Sequence, residues 1–427
     1  MLQLRQAHGL RGRGVLKVRK EVRAITRRAL RLTISVLTAA TLLLAAFGAS
    51  SGYGPSPGPC DSRLFELVVA AAGDAMLDRG VAQALGRMGE DWAFSGSKDV
   101  LAAADIAFLN LETSVSEKGS RLAGKGIWFR TRPDRLGLLK DAGIDVVSVA
   151  NNHIMDYGKT ALLDTLAHLD GQGISYVGAG TDLKAARMGK LIEVNGLKVG
   201  FLAYSDFHDI FWSTTDRKTF GAGEFKPGIA PALADYMAED IARLKRTADF
   251  VIVSVHWGVE YAAMPDAAQV ARAHAAIDAG ADVVLGHHPH VLQPFEAYKE
   301  GLIFYSLGNF VFDQKKPRTV ESMVALISLK KGKRPEAEII PYRISDSRPA
   351  PMGPQEGNKL LKDLAERSSR LGTRVDVLAD RAYLTTDGRM ASSFLGRAYP
   401  GIFKSRGIVK YAPSIISAAS PTPSSVP

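Results

Sequence analysis

Three histidines fall within four residues at Gly286-His287-His288-Pro289-His290, directly after the apolar run VVLG. Imidazoles at such spacing suit borderline divalent metals such as Zn, Mn or Fe. Other residues able to bind metal also follow strand-like runs without a gap. Asp74 follows LVVAAAG, Glu112 follows IAFLNL, Asn151-Asn152-His153 follows VVSVA, and His256 follows VIVSV. Each has a plainer explanation on its own. Asp74 could cap a helix, Asn152 and His153 could be turn residues ahead of Asp156, and His256 beside Trp257 could be a satisfied core histidine. Together they point to a metal or catalytic site. In open α/β sheets, ligands bind beyond the carboxyl ends of the strands, where the loops converge. Five separate segments placing Asp, Glu, Asn or His at that end are not explained by packing alone.

The elements that must carry these residues are legible from their periods. Short apolar runs at 64–72, 105–111, 145–150, 198–205, 250–255, 282–286 and 302–308 read as strands covered on both faces. Amphipathic stretches lie between them, which is the βα pattern of a covered sheet. Leu162, Leu166 and Leu169 share a helical face that should stop near Gly171 and Gly173, and Leu233, Met237, Ile241 and Leu244 repeat the pattern after Pro231. Pro265 should open a further helix that ends before Gly280. Asn195-Gly196 between apolar runs predicts a hairpin turn. Beyond residue 345 the pattern weakens. One helix over 355–370 is predicted, with Leu360, Leu361 and Leu364 inward, followed by a disordered tail.

The chain's net charge of +10 comes from one end. Residues 1–31 hold ten Lys/Arg against the single acid Glu21, so the rest of the chain is close to neutral and a nucleic-acid-binding surface is not expected. An uncharged apolar stretch, Leu32 to Ala49, follows directly, the layout of a signal peptide or signal anchor. Ala46-Phe47-Gly48 would serve as a cleavage site. In either version the body lies outside the cytoplasm, at the cell membrane or exported. Residues 50–62 are a Gly/Pro/Ser linker containing the only cysteine, Cys60, so no disulfide can form within the chain.

The strings GDAMLDRG (73–80), NLET (110–113), ANNHIMDYG (150–158), HWGVEY (256–261), GADVVLGHHPHVLQ (280–293) and YSLGNFVFD (305–313) resemble, in order, the signatures of the bacterial poly-γ-glutamate capsule synthesis (CapA) family. That family is similar to the calcineurin-like metallophosphoesterases. The resemblance implies a four-layer α/β/β/α sandwich over residues 63–345, with 346–427 as a C-terminal extension. It further implies a site for one or two divalent ions, with Asp74, Glu112, Asn152, His256, His288 and His290 as ligands and Glu112 bridging. His153 would contact the transferred phosphoryl group, and Arg79 and Lys125 are candidate anion contacts. Three features depart from the superfamily pattern. Met76 stands where a first-motif histidine is usual, Glu112 replaces the bridging aspartate with an arm one methylene longer, and the closing motif carries one extra histidine, which leaves His287 and His288 as alternatives. Two functions remain open at this point. One is a metal-dependent hydrolase or transferase acting on a phosphoester or capsule polymer at the outer membrane face. The other is a component that binds or exports the polymer, alone or with other capsule-synthesis subunits, without hydrolysis.

Overall fold

A computed structural model describes residues 66–209 and 219–387. Contacts divide the chain into Met1–Cys60, which lies outside the described residues, and Asp61–Pro427, which carries everything below. The apolar stretch 32–49 expected to target the membrane, the linker 50–62 and the predicted tail therefore lie outside the description. Among the described residues no helix is long and apolar enough to cross a membrane.

The chain has a mixed α/β fold with two principal sheets. Strands β1 (Glu66–Ala75), β2 (Ile106–Leu111) and β3 (Val146–Ser148) run parallel at the heart of a ten-stranded sheet. Strands β4 (Phe250–His256) and β5 (Val283–His287) are the parallel centre of a six-stranded sheet. Side chains alternate strictly. Leu67, Val69 and Ala71 of β1 join Phe250 and Ile252 of β4 in one buried cluster, while Val68, Ala70 and Ala72 join a second cluster. Val251, Val253 and Val255 of β4 belong to a third. Successive strand residues point to opposite faces, so this partition means that the sheets pack face to face and are each covered outside. Burial on both faces is why the strands read as continuous apolar runs.

The outer covers are the amphipathic helices. Helices α1 (Arg79–Met88) and α2 (Gly158–Gln172) bury Val81, Leu85, Leu162, Leu166 and Leu169 against the larger sheet. Helices α3 (Ala234–Lys245) and α4 (Ala267–Asp278) bury Met237, Ile241, Leu244, Ala273 and Ala276 against the smaller one. Each fully buried leucine of this kind stabilises the fold by about 1.5–3 kcal/mol. α2 stops at Gly173, whose φ of 66° is the left-handed cap a side chain resists. Asn195 and Gly196, with φ of 53° and 73°, make the two-residue turn between Lys190–Val194 and Leu197–Ser205.

The fold does not end at residue 345. Strands Arg348–Pro351 and Arg381–Thr385 pair with Glu336–Ser345, and Asp376–Leu378 extends the same sheet. Helix α5 (Pro354–Ser369) sets Leu360, Leu361 and Leu364 into the core between the sheets. The region treated as an extension is thus structural through residue 385. Its strands are short and solvated on one side, so they lack the long apolar runs that mark the central strands.

Candidate metal centre

The carboxyl ends of β1, β2, β4 and β5, with the turn after β3, meet at one buried point. Asp74, Glu112, Asn152, His153, His256, His287, His288 and His290 are all buried there. Ligand atoms of Glu112, His256 and His288 lie within 4.8 Å of one another, as do those of Asp74, Glu112 and His290. Glu112 is common to both groups. Its Oε1 stands 3.9 Å from His153 Nε2, 3.8 Å from His256 Nε2 and 3.9 Å from His290 Nε2. None of these is a hydrogen bond. Among the described residues, both carboxylate oxygens of Glu112, Nε2 of His287 and Nδ1 of His288 are buried without a hydrogen-bond partner.

Local backbone features aim these side chains. The pairing of β1 with β2 shifts register between Ala71 and Asp74, a bulge that turns Asp74 into the site. Gly73 is required there, because a Cβ would lie 2.0 Å from the Gly308 carbonyl oxygen. His288 and His290 have φ of 96° and 59°, and Arg79 and Tyr261 nearby have 46° and 65°. Non-glycine residues in this region are strained by about 1–3 kcal/mol each, a cost that collects at functional sites. Here the strain brings alternate histidines of one short loop onto the same centre.

Three asparagines, Asn110, Asn151 and Asn309, organise the cluster. Asn110 donates to Asp74 Oδ1 at 2.9 Å, and Asn151 donates to Asn110 Oδ1 at 3.1 Å. Asn151 Oδ1 in turn accepts from the backbone of His153 and Ile154, so Asn151 shapes the turn and Asn152 is left to face the centre. Asn152 Oδ1 lies 3.0 Å from His256 Nε2. Neighbouring ligands about 2.1 Å from one ion are roughly 3.0–3.4 Å apart, and this pair fits that spacing. Asn309 Oδ1 stands 2.9 Å from His290 Nδ1, which turns Nε2 of that ring towards Glu112. Asn110 and Asn309 each sit inside a string already quoted, but amides buried in strands carry no spacing signal.

The extra histidine divides the work. His287 Nδ1 lies 3.1 Å from Asp74 Oδ1, and His288 groups with Glu112 and His256. Met76 is fully buried, and its sulfur accepts the Asp78 N–H at 3.1 Å.

His153 is held from three sides. Its Nδ1 is 2.7 Å from Asp156 Oδ2, Phe129 stacks on its ring at 3.8 Å, and Lys125 Nζ lies 3.3 Å from Nδ1. We assign the ring proton to Nδ1, facing Asp156, which leaves Nε2 towards Glu112. Lys125 was expected as an anion contact in a loop. It is instead 3% exposed, ion-paired to Asp156 and bonded to the Asn152 carbonyl. A buried ammonium needs such partners. Arg79 keeps its side chain 36% exposed at the rim, paired with Asp313 and lying over the Phe129 ring at 4.4 Å.

Electrostatics follow from burial. Burial, then the charge of Asp74, drives the Glu112 carboxyl well above its ordinary value. Burial would also raise Asp74, but hydrogen bonds to His287 and His290 outweigh it and hold that carboxyl low. Burial keeps His153 and His256 well below the usual imidazole range and takes His288 to about 3. His290 is lifted to about 9, because Glu112 and Asp74 overcome its burial. Burial pushes Asp156 up to about 7 against the pull of Lys125, and lowers the Lys125 ammonium.

The residues fit a divalent cation. Orphaned buried oxygen and nitrogen atoms converge from the ends of β2 and β5, and the donors around them are carboxylate, amide and imidazole. The chain is therefore a mixed α/β protein with a buried His/Asp/Glu/Asn cluster at the strand ends of two facing sheets. It belongs to the family described as bacterial capsule synthesis protein PGA_cap, which matches residues 68–314. It is 38% identical over 290 residues to the PGA biosynthesis protein CapA of Bacillus subtilis (strain 168), covering 67% of this chain and 74% of that one. It is 33% identical over 317 residues to the capsule biosynthesis protein CapA of Bacillus anthracis, covering 71% and 74%. It is also 33% identical over 305 residues to a probable polyglutamine synthesis accessory protein of Mycobacterium tuberculosis (strain CDC 1551 / Oshkosh), covering 66% and 78%.

Proposed function

We propose that this chain is a metal-dependent hydrolase or transferase of the calcineurin-like metallophosphoesterase kind, serving poly-γ-glutamate capsule synthesis. The observation that carries this reading is Glu112, a buried carboxylate with no hydrogen-bond partner among the described residues, facing the Nε2 atoms of three histidines. An unpaired buried carboxylate costs several kcal/mol, and a cation offsets that cost. Glu112, Asn152, His256 and His288 would hold one ion, and Asp74, Glu112 and His290 another. Such a centre supplies Lewis-acid stabilisation of developing charge and a nucleophile at neutral pH. His153, its Nδ1 proton fixed on Asp156, presents a bare Nε2 to the reacting group as a proton acceptor. Arg79 offers a guanidinium to an anionic substrate at the rim.

A second reading, polymer binding or export without hydrolysis, is favoured by Met76. Its sulfur is committed to a backbone N–H and is a soft, neutral donor for Zn, Mn or Fe. Metal analysis of the purified chain, beside a turnover screen with an aryl phosphodiester and a γ-glutamyl polymer, separates the two. Replacing His256 and His288 together by Ala should strip most bound divalent metal while circular dichroism stays unchanged. Metal content equal to wild type would show that these histidines are structural.

We also propose that the protein works at the outer face of the cell membrane, targeted by residues 32–49 behind the basic flank 1–31. Capsule polymer and other capsule-synthesis subunits would meet it there. A reporter fused after residue 62 should be active only outside the cytoplasm, and activity confined to the cytoplasm would sink this assignment.

A further inference from the structure

We propose that the centre keeps one resident divalent ion on Glu112, Asn152, His256 and His288, and takes a second, beside Asp74 and His290, only together with an anionic ligand bearing a phosphate-like oxygen. This rests on the metal-centre reading above and adds an order and a condition to it.

The two positions are unequally furnished. The first has four donors: a carboxylate, an amide oxygen and two imidazoles, with Asn152 Oδ1 and His256 Nε2 already 3.0 Å apart. The second has three, and two of them are partly spent. Asp74 Oδ1 faces Asn110 Nδ2 at 2.9 Å and His287 Nδ1 at 3.1 Å, which uses both of its lone pairs. Asp74 Oδ2 accepts the His288 N–H at 3.3 Å and lies 3.5 Å from His290 Nδ1, so it too is partly engaged. Glu112 must be shared with the first ion. Met76, two residues on and just past the end of β1, gives its sulfur to the Asp78 N–H. An ion at the second position therefore has coordination sites that these residues do not fill.

Charge points the same way. Asp74 and Glu112 are the anionic members of the cluster, and ligating imidazoles are neutral. One divalent ion balances the two carboxylates, whereas a second would leave two positive charges uncompensated in a buried site. The surrounding charges do not relieve this. Lys125 is paired with Asp156 and Arg79 with Asp313, and Glu260 is exposed to solvent at the rim. An anion entering from the Arg79 side supplies both missing elements, the negative charge and the oxygen ligands. Binding of the second ion and binding of the anion are then coupled, each tightening the other by the same factor.

The test is calorimetric titration of Mn into the metal-free full chain, with and without inorganic phosphate, followed by electron paramagnetic resonance for coupled Mn pairs. One tight ion without phosphate is expected. A second should gain about tenfold or more in affinity when phosphate is present, with a coupled-pair signal appearing only then. His290→Ala should lose the phosphate-dependent ion and keep the resident one, whereas His256→Ala should lose the resident ion. Two equally tight ions without phosphate, or a second ion indifferent to phosphate, would overturn the inference while leaving the metal-centre reading intact. A resident ion that survives His256→Ala but not His290→Ala would reverse the assignment and overturn it too. No bound ion under any condition would remove both the inference and the reading beneath it.

Discussion

Exchanging Glu112 for Gln should abolish tight metal binding and, in the same variant, raise the melting temperature of the metal-free protein. Glu112 is shared by both ligand groups, so losing its charge weakens either position; more than about a 100-fold drop in affinity is expected, beyond the 10–100-fold that follows loss of an outer-sphere partner. The stability effect has the opposite sign. In the metal-free fold both oxygens of Glu112 are buried with no hydrogen-bond partner among the described residues, and an unsatisfied charged group costs at least about 1–3 kcal/mol. Gln keeps the shape and removes the charge. The gain corresponds to about 2–4 °C per kcal/mol in domains somewhat smaller than this one.

The pH dependence fixes the direction further. Burial, then Asp74, raises the folded Glu112 carboxyl above its ordinary 4.5, so its contribution is fully present below 4.5 and is lost as pH climbs through the raised value. The gap between variant and wild type should therefore widen with rising pH in the metal-free state. Calorimetric melts of chelator-treated protein at several pH values measure it. A metal-free variant less stable than wild type would mean that Glu112 has a structural partner, and that its isolation is not what marks the centre.

The residues that cluster at the site could be read in the sequence because each stands directly behind a strand buried on both faces, and such strands announce themselves as unbroken apolar runs. What aims these side chains was not legible. The bulge at Gly73 and the left-handed backbone at His288 and His290 depend on contacts with Gly308 and the neighbouring loops, far away in sequence. Asn110 and Asn309 looked like ordinary strand residues, because a buried amide shows its purpose only when its partner is seen. The burial of Lys125 was not legible for a related reason. A lysine in a Gly-rich loop is normally solvated, and only the turn carrying Asp156, about thirty residues away, turns it inward. The C-terminal strands escaped notice because they are short and join the sheet at its edge.

That buried lysine gives the other large expected effect. Lys125→Met should destabilise the protein by about 3–5 kcal/mol, since it leaves the buried Asp156 carboxylate without its cation. Asp156→Asn should cost a similar amount by stranding the ammonium. Combining them removes both charges, so the double variant should recover most of the loss. Recovery stops short of wild type, because Lys125 also donates to the Asn152 carbonyl, and an orphaned buried acceptor costs about 1–3 kcal/mol. Urea unfolding of the four proteins closes the cycle, with a favourable coupling of at least about 2 kcal/mol between the pair as the expected result. Additive losses would show that the two groups are stabilised separately. The chemistry should not recover with the fold. Asp156 fixes the proton on His153 Nδ1, and an amide at 156 can donate to that nitrogen and turn the ring to the other tautomer. With Nε2 then carrying the wrong proton state, turnover on any substrate the chain accepts should remain down by about 100-fold or more in the double variant, while metal content stays near wild type. Restored turnover along with restored stability would mean that Lys125 and Asp156 only brace the loop, and that His153 needs no fixed tautomer to act.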